Sequence, residues 1–212
     1  MGYHHYFAFG DSISIDDYAG PALGAASLLY RNDDGRWPEF RGRDLLHLEP
    51  GCQLHLEAYD GATLEGCHRQ LDKAPRVKGR CLVTLTVGGN DLLSGAGRDY
   101  TLDDWEKSLS HWFQRLREQV PNPTVLLGNV YDPSDGTDHL ASGDDSLRHL
   151  RPYFVAANAL LARVAEAEGA RAVDIHSHFL GHALTEPAWI HCEIEPTALG
   201  ASEVRRLFWD SL

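Results

Sequence analysis

The sequence has no run of about eighteen apolar residues, so no segment is long enough to span a membrane as a helix. Its first residues, Met1-Gly2-Tyr3-His4-His5-Tyr6-Phe7, lack the basic stretch and following apolar stretch of a secretory signal, and a cytoplasmic location is expected. Basic residues are scarce: 19 Lys and Arg stand against 31 Asp and Glu, a net charge of −12. Protonating half of the 12 histidines would still leave about −6. Neither a phosphate backbone nor an anionic lipid surface suits such a chain, which argues against nucleic acid and membranes as partners. The four cysteines, Cys52, Cys67, Cys81 and Cys192, include no CxxC pair, and no Cys/His cluster has the spacing of a structural zinc site. They read as reduced thiols, and neither metal nor cofactor is expected. No internal repeat, low-complexity tract or linker divides the 212 residues, which are 43% hydrophobic, so one domain over 1–212 is expected.

What the chain does contain is a recurring unit: a short apolar run, a polar turn with Gly or Asp, then a helical pattern. Five runs read as strands: Tyr3 to Phe9, Gln53 to Tyr59, Cys81 to Val87, Thr124 to Val130 and Ala170 to Val173. Trp105, Leu109, Trp112, Phe113 and Leu116 form one apolar helical face, with capping chemistry at Thr101-Leu102-Asp103-Asp104. Leu147 to Glu168 is a second long helical pattern, ended by Gly169. A last helix is predicted to begin at Pro196 and run to about Trp209. Alternating strands and helices imply an α/β fold with a parallel sheet covered on both faces, whose ligands gather at the carboxyl ends of the strands. Residues 19–50 read as an insertion with a solvated turn at 31–36, and residues 132–146 as a long Asp/Gly/Ser-rich loop near the strand tips. Trp37, Tyr30 and Phe40 in the first of these would either line a cleft or bury the insertion's own apolar side.

Three blocks at strand tips carry chemistry. Ser12 lies in Phe9-Gly10-Asp11-Ser12-Ile13-Ser14, where a tight turn exposes its Oγ beside backbone N–H groups able to hold an oxyanion. Asp60-Gly61-Ala62-Thr63 places a bare backbone at the second strand. Gly88-Gly89-Asn90-Asp91 ends the strongest strand with a side-chain amide donor. In this order the chain resembles the SGNH hydrolases, the GDSL-type esterase and lipase superfamily. The resemblance implies a flavodoxin-like three-layer sandwich with a five-stranded parallel sheet of order 2-1-3-4-5. It also implies a serine acylhydrolase with Ser12 as nucleophile and an oxyanion hole made by the Ser12 and Gly61 N–H groups and the Asn90 amide. A small cleft rimmed by the 19–50 and 132–146 loops, with no extended apolar lid, would suit short acyl or acetyl esters better than long lipids. The implied partner is a small-molecule ester.

The last family block departs from the pattern. Where the family has Asp-x-x-His before Pro, this chain has Cys192-Glu193-Ile194-Glu195-Pro196. A serine hydroxyl needs a base to become a nucleophile, and a carboxylate has an ordinary pKa of about 4.3, lowered further beside a helix N-terminus. The sequence therefore ranks His191 first as base, four residues before Glu195, with Glu195 in the orienting role. His178 and His182, beyond the fifth strand, are the alternatives. A catalytically impaired ligand-binding or regulatory protein on the same scaffold is the competing reading. The intact nucleophile and oxyanion positions favour the enzyme.

Overall fold

Strand β1 (His5–Gly10) sends Phe7 and Phe9 to one side and Tyr6 and Ala8 to the other, and all four are buried. A strand buried on both faces belongs at the centre of a parallel sheet. The computed structural model, which describes residues 2–95 and 101–212, places it there. With β2 (Gln53–Leu56), β3 (Cys81–Thr86), β4 (Thr124–Gly128) and β5 (Arg171–Val173), it forms a parallel sheet of order β2-β1-β3-β4-β5. His5 pairs with both Gln53 and Cys81, Leu82 with Thr124, and Leu126 with Arg171. Every expected strand is present, each a little shorter than its apolar run, with β1 starting later and ending one residue further on, at Gly10.

One face of the sheet is the Phe7/Phe9/Val83/Leu85 side. It is covered by α3 (Leu64–Lys73), α5 (Leu102–Gln119) and α6 (Leu147–Ala167). The predicted stripe Trp105, Leu109, Trp112, Phe113 and Leu116 is buried there, and Thr101 Oγ1 accepts the Asp104 N–H at 3.1 Å as the cap. Gly169, at φ +67°, follows the end of α6 as expected. The opposite face carries α1 (Ala25–Tyr30) and α8 (Ala198–Asp210), with Ala26, Leu29, Val204 and Phe208 packed on Tyr6, Ala8, Leu82 and Leu126. Short α2 (Leu45–Leu48), α4 (Gly89–Leu93) and α7 (Ile175–Phe179) complete the layers.

Two expectations are corrected. Pro196 does not open the last helix. It lies in a two-residue strand, β7 (Glu195–Pro196), antiparallel to β6 (Ile190–His191), and Thr197 caps α8 by accepting the Gly200 N–H at 3.2 Å. The insertion 19–50 is no plain rim loop either. Its α1 docks on α8, and Phe40 is buried beneath the guanidinium of Arg205, 3.5 Å from the ring centroid. Arg205 is itself buried, donating to Asn32 Oδ1 at 2.8 Å. Phe40 thus takes the core option rather than the cleft one.

Candidate active site

The turn after β1 is held from both sides. Gly10 has φ +123°, and a Cβ there would stand 2.0 Å from the Thr86 carbonyl oxygen, so only glycine fits against β3. Its N–H donates to Gln70 Oε1 at 2.8 Å and its carbonyl accepts from Gln70 Nε2 at 2.7 Å. Thr86 Oγ1 donates to Asp11 Oδ1 at 2.9 Å, and the same carboxyl oxygen accepts the Ile13 N–H at 3.2 Å. Ser12 sits at the apex of this clamp, mostly buried, and its backbone N–H has no acceptor among the described residues. Burial pushes the Asp11 carboxyl up to about 7, against the hydrogen bonds from Thr86 and Ile13 that favour its charged form. Gln70 and Thr86 were not foreseen, because side chains sixty and seventy-five residues away, one on α3 and one at the end of β3, leave no local pattern around Gly10 and Asp11.

Beside Ser12 stand the two other predicted oxyanion positions. Gly61 adopts φ +72°, and its N–H, like that of Ser12, is unspent among the described residues. Asn90 lies in α4 and lines the same cleft as Ser12. Its Nδ2 donates to the Ala62 carbonyl at 3.1 Å, which ties the Asn90 block to the Gly61 loop. An amide nitrogen carries two hydrogens, so one is left for a ligand. Asp91 stiffens the junction: its carboxylate accepts the Leu64 N–H at 3.1 Å and Trp105 Nε1 at 3.1 Å.

The third wall is the β6–β7 hairpin. Cys192 and Glu193 both adopt positive φ, +44° and +71°, forming the tight reversal that turns Glu195 inward. The hairpin is anchored by Tyr131, whose hydroxyl donates to the Ile194 carbonyl and whose ring stacks on Phe179. Glu195 is buried with its carboxylate facing the Ser12 hydroxyl. Burial raises its pKa, the Ser12 hydroxyl pulls it back, and the Asp60 charge adds a further rise. The expected lowering by the α8 N-terminus is therefore outweighed by desolvation. Glu195 Oε2 is buried without a hydrogen-bond partner among the described residues.

The histidines lie elsewhere. His191 is cross-strand to Glu195, but its side chain is exposed; its ring stands edge-on to Tyr18 at 6.3 Å and its Nδ1 lies 3.8 Å from Cys192 Sγ. His178 Nε2 bonds Glu203 Oε2 at 2.9 Å, and His182 stacks on Trp189 at 4.0 Å. Glu203 is held below the usual carboxylate range mainly by Arg206, with His178 adding to it, despite its burial. So Ser12 and Asn90 line one cleft, Glu195 faces Ser12, and Gly61 lies on the loop that Asn90 grips through Ala62, whereas His178 and His182 sit in a packing cluster against α8. Asp16, another acid near Ser12, accepts the Gly24 N–H at 2.8 Å and the Ser27 hydroxyl at 3.1 Å, which makes it a turn-former. Among the described residues no group of three or more His, Cys, Asp or Glu is placed to hold a metal ion, and no helix is long and apolar enough to cross a membrane.

A parallel sheet of this order, with a serine, a glycine and an asparagine at adjoining strand tips, defines an SGNH-type α/β hydrolase fold. The sequence profile of the GDSL-like lipase/acylhydrolase family matches residues 8–202, and the chain belongs to that family of ester hydrolases. Solved structures share the fold along its length. Axe2, an acetylxylan esterase from Geobacillus stearothermophilus, is 18% identical with a TM-score of 0.67, over 99% of this chain and 94% of that one. An extracellular lipase from Streptomyces rimosus is 19% identical with a TM-score of 0.66, over 98% and 99%. LAE5, an α/β hydrolase enzyme from the metagenome of Lake Arreo, is 19% identical with a TM-score of 0.68, over 100% and 96%. No curated protein matches the sequence.

Proposed function

We propose that this chain is a serine esterase in which Glu195 takes the place of the histidine base. The observation that carries the reading is the buried Glu195 carboxylate facing Ser12, with no histidine between them. Ser12 Oγ attacks the acyl carbon as Glu195 takes the hydroxyl proton. The negative charge that develops on the carbonyl oxygen is met by the Ser12 and Gly61 N–H groups and the second Asn90 amide hydrogen. The bond to the alcohol oxygen then breaks, Glu195 returns the proton to that oxygen, and an acyl-Ser12 ester remains. Water repeats the sequence and releases the acid. A raised carboxylate pKa brings the base closer to neutrality and strengthens it.

Labelling by a fluorophosphonate probe tests this reading. The wild type should be labelled and Ser12→Ala spared, and Ser12→Ala should lose turnover of p-nitrophenyl acetate by at least about 10³-fold with an unchanged circular-dichroism spectrum. An unlabelled, inactive wild type would support a ligand-binding protein on this scaffold instead.

A further inference from the structure

A cleft opens from Ser12 and Asn90 between α4 and α6. Its wall is aliphatic and aromatic: Leu92, Leu93, Val130, Leu147, Leu150 and Phe154. The charged groups on it are already spent on one another. Arg151 pairs with Asp132 through Nη1, donates to Asp138 Oδ1 through Nε at 2.7 Å, and lies over the Phe154 ring at 5.6 Å. Asp132 is further occupied by the Ser134 N–H at 2.9 Å and the Gly136 N–H at 3.0 Å. Such a wall presents mainly carbon to a ligand, and its Arg151–Asp132 pair is already engaged.

The other side of Ser12 differs. Tyr18 donates to Asp60 Oδ2 at 3.0 Å and stands against His191, and both Tyr18 and Asp60 interact electrostatically with Glu195. These groups are polar; Asp60 and His191 are exposed and Tyr18 is half-buried. A base that returns its proton to the departing oxygen must have the alcohol on its own side. Resting on the Ser12–Glu195 reading, this geometry orients the ester. We infer that the cleft between α4 and α6 is the acyl subsite and takes an aliphatic chain longer than acetyl, while the alcohol leaves over the polar Tyr18–Asp60–His191 rim.

The isomers ethyl octanoate and octyl acetate test the orientation, since they carry the same atoms with the long chain on opposite sides of the ester. Each methylene that enters an apolar cleft is worth about fourfold in binding. The purified chain should therefore hydrolyse ethyl octanoate at least about tenfold faster in kcat/KM. Leu150→Trp, which fills the cleft from a half-buried position on α6, should erase that preference with an unchanged circular-dichroism spectrum. Leu147→Trp should do the same and guards against a folding defect in the first variant. Equal rates on the two isomers, a preference for octyl acetate, or an ethyl octanoate preference that survives both tryptophan variants would overturn the inference. Those outcomes differ from loss of p-nitrophenyl acetate turnover and of Ser12 labelling in the wild type, which would remove the esterase reading itself.

Discussion

In the proposed mechanism Asn90 serves structure and chemistry together. One amide hydrogen bridges to Ala62, and the other would meet an oxyanion that forms only once Ser12 has attacked. Asn90→Ala should lower kcat by about 10²–10³-fold with little change in KM, measured on p-nitrophenyl acetate, and a large KM rise at constant kcat would make it a ground-state contact instead. Asn90→Asp should be at least as damaging, because it aims a carboxylate at a forming negative charge. The three strand-tip blocks were legible in sequence because each is short and fixed to the end of an apolar run. Gln70 and Tyr131 were not, since their partners Gly10 and Ile194 lie sixty or more residues away and nothing local marks them. The last block was legible as a departure from the family pattern, but which of its side chains turns toward Ser12 was not. Four residues separate His191 from Glu195, but the reversal at Cys192 and Glu193 leaves the histidine in solvent and carries the glutamate inside.

At the scale of elements, the sheet could be read from the sequence because burial on both faces makes the central strands β1, β3 and β4 largely apolar runs. The edge strands β2 and β5 are partly exposed and gave a weaker signal. The helices α5 and α6 were equally plain from their stripes. The insertion 19–50 was not, because its single turns and polar loops have no period, and its core role depends on α8 far along the chain. Phe40 and Arg205 make that dependence concrete. Phe40→Ala would leave a cavity and expose a buried guanidinium, costing about 3–5 kcal/mol. Thermal unfolding should fall by roughly 10 °C with KM for p-nitrophenyl acetate unchanged. An unchanged melting temperature with a raised KM would place this insertion in substrate binding rather than in the core.

At the scale of the whole molecule, the site is a concentration of buried acid in an already acidic chain. Asp11, Asp91 and Glu195 all have carboxyls raised chiefly by burial. A raised acid keeps its proton in the folded chain after the unfolded chain has lost it, so its contribution weakens folding as pH rises. For Asp11 this window runs from its ordinary value of 3.8 to about 7. Urea unfolding from pH 4.5 to 8 should show wild-type stability falling more steeply than that of Asp11→Asn, which keeps an acceptor for Thr86 and Ile13; parallel curves would refute a protonated Asp11. The same acids bear on catalysis, because the central claim is a carboxylate base. Its most direct measurement is the pH dependence of kcat/KM on p-nitrophenyl acetate, taken side by side for wild type, His191→Ala and Glu195→Gln. The account predicts that wild type and His191→Ala follow one coincident profile, and that Glu195→Gln falls by at least about 10²-fold throughout. A wild-type ionisation near 6.5 that vanishes along with activity in His191→Ala, with Glu195→Gln still turning over, would contradict it.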